Sequence, residues 1–179
     1  MKIAITGHSA GIGQALAKIY EEQGHTIIGL SRRNGYNIRS LPKVAALIEP
    51  CDMFINNAQV GFAQTELLLE MAKRWEGQSK RILVISTMMT EFPSSTLTGL
   101  GMDEYYVQKI ALEEAVKQLR AKCRNLSITI VRPGMIGTAP ERPVPPAADV
   151  DHWAKSLIQI LQTPKLFVSE ISLGPGSGQ

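Results

Sequence analysis

Cysteine and aromatic residues are scarce in this chain of 179 residues, which has two Cys, two Trp, four Tyr and four Phe. Its two thiols, Cys51 and Cys123, stand far apart, with neither a CxxC pair nor a histidine cluster. That excludes a disulfide framework and a zinc site, so no metal is expected. The expectation is two reduced, buried thiols in a cytoplasmic protein. Long hydrophobic runs are lacking too: none approaches the roughly 20 residues that a membrane-crossing helix needs. The start of the chain runs directly into a strand pattern, without the charged region, apolar segment and cleavage site of a leader. Charge of one sign is also in short supply. Lys and Arg number 19 against 16 Asp and Glu, a formal net charge of +3. The basic residues are scattered, with short pairs such as Arg32-Arg33 and Lys80-Arg81, which is no nucleic-acid footprint. Neither a nucleic acid nor a membrane is expected as a partner.

The chain does have enough apolar residues, 44% against 20% charged, to bury one sizeable core and not two. A single domain over residues 1–173 is expected, followed by a Gly-rich flexible tail at 174–179. Apolar runs alternate with amphipathic stretches throughout. Strands are predicted at residues 2–6, 25–30, 52–56, 81–87, 127–132 and 165–173, and helices at 12–23, 41–49, 65–75, 102–123 and 149–162. Residues 36–38 follow the second strand too closely for a parallel crossover, so a stub of strand or none is expected there. The proline-rich stretch 139–148 reads as an extended loop. The order of elements implies an α/β fold: a Rossmann-like, doubly wound parallel sheet in three layers.

Where the first strand meets the first helix stands Thr6-Gly7-His8-Ser9-Ala10-Gly11-Ile12-Gly13. Glycines spaced this way permit a tight turn and close backbone approach, and the free N–H groups of a helix start favour a pyrophosphate. Gly7, His8, Ser9, Gly11, Ile12 and Gly13 are therefore candidate dinucleotide contacts. At the end of the second strand, where an acidic side chain would bind a ribose hydroxyl, the sequence has Gly29-Leu30-Ser31-Arg32-Arg33. Ser31, Arg32 and Arg33 suit a 2′-phosphate instead, which points to NADP(H) in preference to NAD(H).

The glycine spacing resembles the TGxxxGIG motif of the short-chain dehydrogenase/reductase family. Three further segments resemble that family in order: Asn56-Asn57-Ala58 its NNA, Tyr105 to Lys109 its YxxxK, and Pro133 to Thr138 its PGxIxT. The resemblance covers nearly the whole chain and implies an oxidoreductase moving a hydride between NADP(H) and a small-molecule carbonyl or alcohol. It also implies assembly as a homodimer or homotetramer, through the helices at 65–75 and 102–123. Asn37 resembles the family residue that lies against adenine. Asn57 and Ala58 join the cofactor contacts, and Pro133, Gly134, Ile136 and Thr138 resemble the segment that wraps the nicotinamide.

Tyr105 and Lys109, at i and i+4, share one helix face, where an ammonium favours the ionised phenol. Tyr105 then serves as general acid or base, and Lys109, by resemblance, also holds the nicotinamide ribose. The family hydroxyl on the preceding strand aligns with Thr87, with Ser86 the alternative. No Asn occurs between Asn57 and Asn125, so the family's helix asparagine has no counterpart; Gln64 is the candidate substitute. Gln59 stands where the family commonly has Gly. These departures keep a second reading open, a binding module that senses NADP(H) without turnover.

Overall fold

The computed structural model describes residues 1–93, 101–138 and 147–176. Chain order begins with β1 (Lys2–Thr6), α1 (Gly11–Glu22), β2 (Thr26–Leu30), α2 (Leu41–Ile48), β3 (Met53–Asn56), α3 (Ala63–Arg74) and β4 (Arg81–Ile85). It continues with α4 (Asp103–Lys122), β5 (Ser127–Pro133), β6 (Ile136–Gly137), β7 (Ala148–Asp149), α5 (Val150–Leu161) and β8 (Glu170–Leu173). Single 3-10 turns occupy Arg32–Asn34 and Met88–Glu91.

Six strands form one parallel sheet in the order β2-β1-β3-β4-β5-β8. Side chains of a strand alternate between faces, and the two cores follow that alternation. Ala4, Phe54, Val84 and Ile130 pack with α2, α3 and α4 on one face. Ile3, Ile5, Ile55, Leu83 and Val131 pack with α1 and α5 on the other. The result is the expected doubly wound, three-layer α/β architecture. Strand order reverses beside β1, between β2 and β3, which opens a crevice at the carboxyl ends of these strands, the usual ligand site of such sheets.

Several expectations are corrected. The last strand begins at Glu170 rather than at residue 165. Lys165 takes a positive φ of 64° and Leu166 and Phe167 are exposed, so the apolar run there belongs to a turn. The fourth strand ends at Ile85, two residues early, because the chain leaves the sheet for the 3-10 turn that Thr87 caps. At residues 36–38, where a stub of strand or none was expected, the structure has none, and Ile38 is buried in the core. Of the predicted proline-rich loop, residues 139–146 lie outside the described residues, while Ala148–Asp149 pairs with Ile136–Gly137 as a two-stranded parallel ribbon. Asp149 caps α5 by accepting from the His152 N–H at 2.8 Å. Cys51 is buried, but Cys123 is only half-buried; both are free. Of residues 174–179, the structure describes 174–176, and Gly174 lies against Gly134 and Met88.

Candidate active site

The first β-α turn is stapled to the end of β3. The buried Thr6 hydroxyl accepts from the backbone N–H groups of Asn57 (3.0 Å) and Ala58 (3.1 Å), and Asn57 Nδ2 donates to the Thr6 carbonyl at 2.9 Å. Glycine is required at the contact: a Cβ on Gly13 would stand 2.3 Å from the Gly7 carbonyl oxygen and 2.7 Å from Asn57 Nδ2. Gly7 itself has a φ of 71°, in the left-handed region that glycine adopts freely. Thr6 is a residue the motif reading passed over, although it stands inside the quoted segment.

Two clefts run along this crevice. The first, about 330 Å³, is lined by Gly7, Ser9, Ser31, Arg32, Arg33, Asn37 and Ala58 among others. Within it Arg33 Nη1 donates to the Ser9 carbonyl at 3.1 Å, folding the guanidinium over the glycine turn. Ser31 is buried, and its hydroxyl donates to Asn34 Oδ1 at 3.1 Å, a partner sequence reasoning did not supply. Asn37 Oδ1 accepts from the Arg39 N–H at 3.0 Å. His8 and Gly11 line a neighbouring hollow beside α1. The His8 ring packs on β2, where a Cβ at Gly29 would come within 2.3 Å of it, and His8 Nδ1 is buried without a partner among the described residues. Gly29 carries that requirement unseen in the sequence.

The second cleft, about 260 Å³, brings together Ile12, Asn57, Ser86, Thr87, Tyr105, Lys109, Pro133, Gly134, Ile136 and Thr138. Gln59 lines both clefts, and its amide donates to Gln108. Here the two hydroxyls at the end of β4 part company. Ser86 Oγ donates to Glu113 at 2.5 Å, whereas the Thr87 hydroxyl accepts from the Met89 N–H at 3.3 Å and lines the cleft with the Tyr105 phenol. Burial pushes that phenol above its ordinary value, and the nearby Thr87 hydroxyl opposes this in part. The expected depression of the phenol is thus not what the described protein environment produces.

Lys109 is buried, with Nζ 5.5 Å from the centroid of the Tyr105 ring. It donates to Gln64 Oε1 and to the Ile85 carbonyl, both at 2.9 Å. Burial lowers its pKa to about 8, with the negative charge of Glu113 opposing. Glu113, one turn along α4, is held by Arg132 through Nε (3.0 and 3.1 Å) and Nη2 (2.7 Å), and by Thr90 at 2.8 Å. Arg132 in turn reaches Glu170 at 2.9 Å and is held still more firmly protonated than usual, chiefly by its bonds to Glu113.

No family model matches the sequence. An uncharacterized oxidoreductase of Emericella nidulans is 28% identical over 133 residues, which cover 59% of this chain and 52% of that protein. The chain thus spans about half the length of that curated relative. Among solved structures, a short-chain dehydrogenase/reductase from Vibrio parahaemolyticus superposes with a TM-score of 0.74 at 19% identity, covering 96% of this chain and 98% of that one. A short-chain dehydrogenase from Burkholderia cenocepacia, solved in complex with NADP, gives a TM-score of 0.76 at 15% identity, covering 97% and 88%. The fold is that of the short-chain dehydrogenase/reductase family, and the resemblance carried by the four motifs is borne out at that level.

Proposed function

We propose that this chain is a short-chain dehydrogenase/reductase, an NADP(H)-dependent oxidoreductase acting on a small carbonyl or alcohol, with Tyr105 as its general acid and base. The observation that carries this reading is the convergence of Tyr105, Thr87 and Lys109 in one cleft, joined through Gln59 to a cleft built on the glycine turn and Arg32. The turn suits a dinucleotide: a Cβ would fill the cradle at Gly13, and His8 Nδ1 of the same turn is buried without a partner among the described residues. Gly7, Ser9, Gly11 and Ile12 would hold the pyrophosphate, Arg32 and Arg33 a 2′-phosphate, and Lys109, Ile136 and Thr138 the nicotinamide half. When bound, the nicotinamide supplies or accepts the hydride.

The protein's own part is placement and proton transfer. Because burial holds the Tyr105 phenol above its ordinary value, it is protonated near neutrality and can donate to a carbonyl oxygen that gains charge. Thr87, which lines the same cleft, would donate to that oxygen as well. Alcohol oxidation is the same step reversed. Ser86 is engaged by Glu113, which favours Thr87 as the working hydroxyl. Exposed Leu69 on α3, and Val107 and Ile110 on α4, support assembly through those helices.

Fluorescence titration of the purified protein with NADPH and NADH tests the reading. Tight NADPH binding, weaker NADH binding, and a loss of about tenfold in NADPH affinity on Arg32→Ala are expected. Binding of neither nucleotide overturns it.

A further inference from the structure

Lys109 is buried at 3% exposure, yet its ammonium forms no ion pair among the described residues. Its partners are two neutral oxygens, Gln64 Oε1 and the Ile85 carbonyl, each at 2.9 Å. The amide that supplies the first is itself fixed. Gln64 is 2% exposed, and its Nε2 donates to the Asn56 carbonyl at 2.8 Å and to the Ile85 carbonyl at 3.0 Å, which uses both N–H groups. Asn56 Nδ2 returns a bond to the Gln64 carbonyl at 2.9 Å, tying the start of α3 to the end of β3. Turning the amide over would break two bonds and aim two donors at an ammonium.

We propose that Gln64 is a positioning residue for Lys109: its side-chain oxygen, locked by Asn56 and Ile85, holds the ammonium in the Tyr105 cleft without cancelling its charge. The inference deepens the proposed function and rests on the reading of Tyr105 and Lys109 as the working pair. A carboxylate at this place would hold the lysine as firmly, but the pair would then present no net charge to the phenol. The other groups facing Lys109 leave that field intact. From α4 itself come Tyr105 and Glu113, and Glu113 is engaged by Arg132 of β5. Ser86 and Thr87 follow β4 as neutral hydroxyls, and Asn56 and Asn57 at the end of β3 are neutral amides. With the other ammonium donors on Gln64 and Ile85, one N–H is left for the cleft.

The test reads ionisation, so it needs neither a substrate nor turnover. Lys109 is titrated by NMR of its side-chain nuclei in the full chain, its signal assigned by loss in Lys109→Met. The Tyr105 phenol is followed by ultraviolet absorbance as the difference from Tyr105→Phe. Gln64→Glu is expected to move the Lys109 titration upward by about 1–3 pH units and the phenol upward with it. Gln64→Asn keeps the amide but withdraws it by one methylene; it is expected to move Lys109 downward, and it carries the test alone if the first variant fails to fold. Lys109 and Tyr105 titrations that stay where they were, with only the melting temperature lowered, would overturn the proposal. Nucleotide titration of the same variants is scored separately: shifted ionisation without NADPH binding would sink the redox reading and leave the role of Gln64 standing.

Discussion

Lys109 and Glu113 lie one helical turn apart on α4, both buried, and their surroundings are opposite. Glu113 is met by a bidentate guanidinium and two hydroxyls. Lys109 is met by one amide and one carbonyl. The same division separates the consecutive residues Ser86, which joins Glu113, and Thr87, which lines the cleft with Tyr105. A buried charge whose partners cancel it is a lock: Glu113 ties α4 to the 3-10 turn through Thr90 and to β5 through Arg132, which reaches on to β8. A buried charge left uncancelled is costly, and here it faces the cleft. Perturbed ionisation of this kind gathers where chemistry is done.

Both of these buried groups can be perturbed separately. The largest effect is expected on the Lys109 side, from Tyr105→Phe, which removes the proposed proton donor; turnover should fall by about 10²–10⁴-fold with NADPH affinity unchanged, as measured by steady-state kinetics and fluorescence titration. On the other side, Glu113→Gln leaves Arg132 without its main counter-charge. Urea unfolding should show a loss of about 3 kcal/mol, part of the guanidinium being carried still by Glu170.

Lys109→Met tests the contrast further, because it should lower turnover, by less than Tyr105→Phe does, without a matching loss of stability. Folding holds this lysine at about 8 against an ordinary 10.5. Between those values the unfolded chain binds a proton that the folded chain does not, so stability rises with pH across that window. Below it the charged form is buried at full cost. The substitution should flatten that rise and, at neutral pH, offset what is lost with the two hydrogen bonds. Denaturant midpoints at pH 7 and pH 10 check both points.

The smallest effects separate the two hydroxyls. Ser86→Ala should cost about 1–2 kcal/mol of stability and leave turnover within a few-fold. Thr87→Ala should lower kcat by about tenfold or more, with a loss of about 0.5–1 kcal/mol of stability from the cap that Thr87 supplies to the 3-10 turn. Equal losses of activity from both would mean that the two hydroxyls play the same part.

Most of the fold was legible because its signals are local. Alternating Ile3, Ala4 and Ile5 announce a strand buried on both faces, and the glycines of the first turn announce a helix start with room for backbone approach. The run at 165–173 misled for the same reason: Leu166 and Phe167 look like strand residues, but among the described residues both are left exposed. At the site, the i and i+4 spacing of Tyr105 and Lys109 was enough to place them on one face. It said nothing of the phenol's environment, which burial governs.

Sequence alone therefore determined the order of elements, the dinucleotide-type turn and the candidate pair on α4, since each depends on neighbours within a few positions. The tertiary structure decided which hydroxyl faces Tyr105, which charge is cancelled, and which way the Gln64 amide points. Those outcomes depend on Arg132, Asn56 and Ile85, brought from β5, β3 and β4, and no spacing along the chain records what a folded sheet sets side by side.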